Sequence, residues 1–254
     1  MKREEVSVLF SGGSDSTLAA AFMCRQFEKV HLLTFLRSGI SSVDNAKISA
    51  QRLEQKFGKD KLTHKFINME QTFKKLYYDD YTRDFKQYGV FLVAGTCFAC
   101  LLAMHTETII YNLKNKINSA CDGYKKEKEH IYVPMSKEGI VYTKELYAKY
   151  GIDYLNPVYN ITRTDWELFD LGITSKRNAK FPHHQLEPSY EPICAHGVLT
   201  NAYVMAYYYP LYHKRDDRWV EYYKEKITVA GRYIDAMYAR FKIEKMEKLV
   251  KVKT

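Results

Sequence analysis

The 254-residue sequence is 46% hydrophobic and 27% charged, which excludes a disordered or low-complexity chain and suits one large folded domain or a domain with an appendage. No apolar run approaches the roughly 20 residues needed to cross a bilayer, and Ser11 to Asp15 interrupts the apolar stretch after Met1-Lys2-Arg3-Glu4-Glu5, so the expectation is a cytoplasmic protein. A formal charge of +9 favours polyanionic partners, and five cysteines in such a compartment point to metal, cluster or redox use rather than to a disulfide framework.

The first third alternates strand and helix. Val6 to Phe10 and Val30 to Phe35 are short apolar runs suited to buried parallel strands, and Leu62 to Met69 is a weaker third. Between them Ser16 to Phe27 reads as a helix, as does Asp44 to Phe57, which ends at the capping glycine Gly58. This order implies a parallel sheet covered by helices. Beyond the polar aromatic stretch Phe73 to Tyr88, a helix is expected from Thr96 to Lys114 and a strand from Ile117 to Cys121, ending at Asp122-Gly123. Lys125 to Lys128 reads as a solvated loop. Ser136 to Tyr150 reads as a helix stopping at Gly151, and Thr164-Asp165-Trp166-Glu167 as a capping box for a short helix. Arg177 to Pro192 holds three of the six prolines and reads as a loop. From Thr200 onward the composition shifts to 12 Lys/Arg against 7 Asp/Glu with 11 aromatic residues, and Ile227, Ile234, Met237, Tyr238 and Phe241 recur at helical spacing.

The first strand-to-helix turn is Ser11-Gly12-Gly13-Ser14-Asp15-Ser16. Glycines at Gly12 and Gly13 permit positive φ and close approach of the backbone to oxygens. The unsatisfied amides of the following helix supply donors and a positive dipole end, and Ser11, Ser14, Ser16 and Thr17 add hydroxyls. Asp15 suits helix capping or a magnesium ion better than direct phosphate contact. No Gly-Lys-Ser or Gly-Lys-Thr follows, which excludes a Walker A site.

The Ser-Gly-Gly-Ser-Asp-Ser run resembles the PP-loop signature of the adenine-nucleotide α-hydrolase superfamily, which includes tRNA thiolases, preQ0 synthase, GMP and NAD synthetases and LarE-type sulfur transferases. The resemblance implies a Rossmann-like parallel sheet flanked by helices, with a helical C-terminal extension. It divides the chain into a nucleotide-binding domain at 1–198 and a basic aromatic extension at 199–254. It also implies cleavage of ATP between the α- and β-phosphates, adenylation of a substrate oxygen, and displacement of AMP by sulfur or nitrogen. Backbone contact with the nucleotide is implied at Asp122 and Gly123, although the continuation Tyr124-Lys125-Lys126 departs from the family pattern there.

Cys97 and Cys100 form a Cys-x-x-Cys pair expected near a helix start, which puts both sulfurs on one helix face. Cys194 follows in Pro192-Ile193-Cys194-Ala195-His196-Gly197, a segment free to return to the carboxyl edge of the sheet. The three together resemble the iron–sulfur subgroup of PP-loop tRNA thiolases. That likeness implies a 4Fe–4S cluster on Cys97, Cys100 and Cys194, with one iron open to an extra sulfide. Two other readings stay open. One is persulfide and disulfide chemistry between Cys194 and one of the pair. The other is a purely structural role, including a zinc site completed by His105 or His196. Cys24 and Cys121 read as core, and His183-His184 as a solvated dipeptide.

The tail from Tyr203 through Tyr207, Tyr208, Tyr209, Tyr212, His213-Lys214-Arg215, Trp219, Tyr222 and Tyr223 combines cations with rings. It reads either as an RNA-stacking surface or as packing residues. The combined expectation is an ATP- and magnesium-using thiolation enzyme acting on tRNA. Sulfide or a sulfur-donor protein would supply the sulfur, and a homodimer is possible. The rivals are a preQ0-synthase-like or LarE-like enzyme acting on a small molecule or DNA, and a nucleotide-binding module without catalysis.

Overall fold

A computed structural model describes residues 3–89, 92–126, 132–175, 192–203, 206 and 217–251. Strand β1 (Arg3–Leu9) leads through the glycine loop into helix α1 (Ser14–Gln26), which runs directly into β2 (Phe27–Leu36). A two-residue strand, β3 (Ile40–Ser41), precedes α2 (Ala46–Phe57) and β4 (Leu62–Asn68). The aromatic stretch that follows is helical: α3 (Glu70–Phe73), a π-helical turn over Lys74–Tyr78, and α4 (Tyr81–Tyr88). Next come α5 (Leu92–Asn115), β5 (Ser119–Cys121), α6 (Lys137–Ala148), β6 (Asp153–Leu155) and α7 (Thr164–Asp170). Strand β7 (Ile193–Cys194) and α8 (Ala195–Tyr203) precede the long C-terminal helix α9 (Asp217–Lys251).

Five strands form one parallel sheet in the order β4-β2-β1-β5-β6. The expected strands and helices are therefore present, and the fold is a Rossmann-like α/β sheet with a C-terminal helix. The chain winds outward through β2 and β4 and then returns to add β5 and β6 on the other side of β1. That reversal makes a crevice between the carboxyl ends of β1 and β5, the place where open parallel sheets bind ligands.

Side chains alternate along the strands and feed two cores. Val6, Val8, Val30 and Leu32 point to the face covered by α1, α2 and α7, where the alanines of α1 let the helix lie close. Leu9, Leu33 and Phe35 point to the opposite face, under α5, α6 and α9. Cys24 and Cys121 are fully buried in the first of these cores.

Two local expectations change. Helix α5 begins at Leu92, before Thr96, so Cys97 lies past the first turn, beyond the reach of the unsatisfied terminal amides. At α7 the cap position is Arg163 and makes no side-chain bond; the Thr164 hydroxyl donates to Asp15 instead. The capping box is displaced because that hydroxyl has a charged acceptor across the fold.

Helix α9 is attached through its first turns. Trp219, Tyr222 and Tyr223 are buried, and Ile234 joins the same core. These three rings are packing residues in this fold, not a base-stacking surface. Most of the other basic and aromatic positions, Tyr207 to Arg215, lie outside the described residues, as does His183-His184. No described helix is long and apolar enough to cross a membrane.

The same helix carries Lys226, whose side chain is wholly buried with Nζ 2.5 Å from Asp84 and 3.5 Å from Asp80. Arg83 meets Asp84 from the other side at 2.8 Å, and Tyr88 donates to Glu225. Removing one member of such a pair strands a charge in a dry site, at a cost of about 3–5 kcal/mol. Asp84→Asn is thus expected to lose about 3 kcal/mol or more in urea denaturation. A loss within the scatter of ordinary surface substitutions would show that the ion pair is not what holds α9 against α4.

Candidate active site

The glycine loop is built by its own hydroxyls. Ser16 Oγ donates to the Gly13 carbonyl at 3.2 Å and accepts from the Ser11 amide at 3.3 Å, while Ser11 Oγ accepts from the Gly13 amide at 3.3 Å. Gly12 has φ +82°, which only glycine adopts without strain, and its carbonyl accepts from Ser49 Oγ on α2 at 2.6 Å. Gly13 is extended at φ −71°, so of the two glycines only Gly12 is required by backbone conformation. The hydroxyls of Ser14 and Thr17 are buried and make no hydrogen bond. Together with first-turn amides that have no intrahelical acceptor, they are donors waiting for an anion.

The turn after β5 closes the other side of the crevice. A Cβ at Gly123 would stand 2.7 Å from the Ser16 amide nitrogen and 2.8 Å from the Asp15 carbonyl carbon, so glycine is needed for this turn to lie against the loop. Asp122 points the other way, into a buried polar network. It accepts from the Tyr124 amide at 3.0 Å, from Asn156 at 2.8 Å and from the Tyr154 hydroxyl. His105, wholly buried on α5, bridges the hydroxyls of Tyr124 and Tyr147 at 2.8 and 3.0 Å. Both ring nitrogens are thereby engaged and burial pushes the imidazole down to about 3, so it stands as a neutral hydrogen-bonding strut.

Asp15 sits over the loop on α1. Its carboxylate accepts from Thr164 at 2.7 Å and lies 3.7 Å from the Lys125 ammonium. Lys125 is only 5% exposed and donates to the Thr162 carbonyl, which corrects the expectation of a solvated loop for this residue. A single lysine carries no periodic signal, and its neighbours Lys126 to Lys128 gave the run the look of a solvent face.

The third group is sulfur. Strand β7 pairs antiparallel with β3, setting Cys194 opposite Ile40, just past the carboxyl end of β2. There Arg37 gathers the cysteines. Its Nε donates to Cys100 Sγ at 3.2 Å and its Nη2 to Cys194 Sγ at 3.7 Å, while the guanidinium lies 4.2 Å over the Phe73 ring. Cys97 is the third sulfur in its field. Burial opposes the arginine charge, but the three sulfurs outweigh it and leave the guanidinium above its ordinary range. Burial likewise pushes Cys97 up to about 11 and raises Cys100, with Arg37 pulling both back down. The Gly197 amide donates to Cys194 Sγ at 3.3 Å, and Gly39, at φ +84°, leaves room for the His196 ring.

One cavity of about 290 Å³ joins these pieces. Ser11, Asp15 and Ser16 line it from the loop, Asp122 and Gly123 from the β5 turn, Phe10, Thr34 and Phe35 from the strand ends, and Cys194 from β7. Of the residues singled out in the sequence, Ser11, Asp15, Ser16, Asp122, Gly123 and Cys194 line this cavity, whereas Cys97 and Cys100 do not; Cys100 is linked to Cys194 through Arg37, and Lys125 stands beside Asp15.

The Asp122 network makes a measurable prediction. Burial, working against three hydrogen bonds that favour the charged form, raises its carboxyl from 3.8 to about 6. Because the folded-state value lies above the unfolded one, this contribution to stability is fully present below pH 3.8 and is lost as pH rises through about 6. Relative to Asp122→Asn, the wild type is expected to lose on the order of 1–3 kcal/mol across that window in denaturant titrations. Parallel pH profiles for the two proteins would contradict it.

A family model described as a family of unknown function, DUF7411, matches residues 4–169. No curated protein matches the chain in sequence. Among solved structures, a 4-thiouridine synthetase–RNA complex with bound ATP is similar over 92% of this chain at 11% identity and a TM-score of 0.50. The chain spans only 53% of that protein's length. A protein described as a predicted subunit of tRNA methyltransferase, from Methanocaldococcus jannaschii, is similar over 63% of this chain and 70% of its own, at 21% identity and a TM-score of 0.41. At 11% identity the likeness to the synthetase is one of fold. The matched residues take in the glycine loop, Cys97, Cys100 and the β5 turn, and the chain belongs to DUF7411, a family of unknown function.

Proposed function

We propose that this protein is an ATP-dependent sulfur-inserting enzyme that acts on RNA, with tRNA as the favoured substrate. One observation carries the reading: Cys194, in reach of Arg37 and Cys100, lines the same cavity as the phosphate loop. An adenylating site and a sulfur site that share one cavity need no transfer through solvent. The fold likeness to an RNA-bound synthetase that holds ATP, and the charge of +9, support the nucleotide and the RNA.

In this reading the loop amides with Ser14 and Thr17 hold the β- and γ-phosphates, and Lys125 turns from Asp15 to the α-phosphate. A magnesium ion fits Asp15, because that ion needs only one or two carboxylates when phosphate oxygens complete its shell. It would offset polyphosphate charge. A carbonyl oxygen of the substrate attacks the α-phosphorus, the α–β bond breaks and pyrophosphate leaves. The substrate carbon, now bearing AMP as a leaving group, is open to a sulfur nucleophile.

The cluster implied by the family resemblance would rest on Cys97, Cys100 and Cys194. Their arrangement does not fit one: a guanidinium is bonded to two of the three sulfurs where iron would stand, and among the described residues no group of three Cys, His, Asp or Glu is disposed to hold a metal ion. We therefore assign the sulfur step to cysteine persulfide chemistry. The outer sulfur of a persulfide attacks the activated carbon and AMP departs. A second cysteine thiolate then breaks the S–S bond, leaving sulfur on the product and a disulfide in the protein. A thiol reductant and a persulfide donor restore the pair.

Two outcomes are expected. Gly13→Val puts a branched side chain at the N-cap of α1, in the approach this reading gives the phosphates, and Lys125→Met removes the cation beside Asp15; each is expected to lower pyrophosphate release from ATP by on the order of 100-fold. Normal release from both proteins would remove the loop as the nucleotide site. Binding of unmodified tRNA should weaken steeply across a salt series, because phosphate contacts release counterions. Absence of binding at low salt, with pyrophosphate release intact on small carbonyl substrates, would transfer the reaction to a small molecule.

A further inference from the structure

Arg37 is 7% exposed, and among the described residues no carboxylate pairs with it. Its described contacts are Cys100, Cys194, the Ser38 carbonyl at 2.8 Å and the face of Phe73. A guanidinium out of water needs an anion, since an unpaired buried charge is among the costliest features a fold can carry. Neutral thiols answer that need poorly. Anionic sulfur answers it well, because Arg presents rigid forked donors that can serve two acceptors at once and is weakly hydrated.

We propose that Arg37 is the sulfur-binding residue of this protein: its fork holds a thiolate or persulfide on Cys194 against Cys100, as the counter-cation of the transferred sulfur. This rests on the sulfur-transfer reading above. Loading is a balanced exchange. A cysteine thiolate attacks the outer sulfur of a donor persulfide, the donor's S–S bond breaks, and the donor leaves as a thiolate while the new persulfide sits on the protein. The outer sulfur carries its proton across and then gives it up to solvent, a persulfide being a stronger acid than a thiol, so the protein sulfur bears one negative charge before and after loading and a single fixed cation serves both states. Cys194 is the acceptor, because it lines the cavity, and Cys100 is the buried partner at the other end of the fork. Among the described residues, the groups facing these sulfurs are Arg37 after β2, Cys97 on α5 with Tyr77 of the π-turn beside it, Tyr124 and Tyr132 from the loops after β5, and His196 on α8. Of these only Arg37 is a fixed cation.

The test uses the full chain under anaerobic conditions, with glutathione persulfide as the donor. Alkylation followed by peptide mass spectrometry then counts one added sulfur atom at each cysteine. Wild type is expected to load Cys194, with Cys24 and Cys121 unloaded as internal controls. Arg37→Gln should load about fivefold less or worse at an unchanged melting temperature, and Arg37→Lys, which keeps the charge without the fork, should fall between. Loading of Arg37→Gln equal to wild type overturns the proposal. So does an absence of added sulfur on wild-type Cys194, or bound iron that protects Cys97, Cys100 and Cys194 from alkylation after reconstitution with ferrous iron and sulfide. If Arg37→Gln does not fold, Arg37→Lys still decides the matter, since loading equal to wild type would deny any role to the fork. Pyrophosphate release by the wild type in the presence of tRNA is measured alongside. Its absence would sink the reaction proposed above while leaving sulfur loading to stand or fall by itself.

Discussion

The architecture hinges on the approach of the Gly123 backbone to the first turn of α1. The β5 turn lies so close to Ser16 that any side chain at position 123 would collide with peptide atoms, which cannot swing aside as a side chain can. That contact fixes the width of the crevice where the sheet reverses its winding order. It also decides the direction of Asp122, which turns away from the loop into the tyrosines behind. The glycine loop is thus braced from three sides: by its own serines, by Ser49 of α2, and by a glycine that gives way to it.

Behind this front the protein places ionisable groups with care. His105 and Asp122 are both buried, and burial drives them apart, the imidazole toward neutrality in acid and the carboxyl toward protonation near pH 6. The tyrosines between them satisfy both. A neutral, hydrogen-bonded wall behind the glycine loop keeps the field of the helix terminus and of Lys125 undiluted, because preorganised donors act most strongly where water is absent.

Much of this was legible in the residues. A serine- and glycine-rich turn between an apolar run and an alanine-rich helix is a local pattern, and local patterns survive folding. The parallel order of β1, β2 and β4 followed from the same alternation. Strand β6 was not legible, because Asp153–Leu155 is three residues long and too short to show a period. The start of α5 was misplaced for lack of a capping signal before Leu92. Arg37 and Lys125 escaped for a different reason. A lone basic residue has no spacing to betray it, and what singles out these two is burial beside sulfur and beside the glycine loop, which only the tertiary arrangement creates. The rings of Trp219, Tyr222 and Tyr223 show the converse, since composition suggested a surface and packing made them core.

The pairing of β3 with β7 has a kinetic side. It joins Ile40 to Cys194 across most of the sheet-forming chain, yet it comprises only two residues on each strand. Closing so long a loop costs entropy that grows with its length, and a ladder this short returns little of it. Contacts of that kind form late, after the local β-α-β units have condensed. The crevice between β1 and β5 is then complete before Cys194 arrives, so that cysteine is added to a finished scaffold.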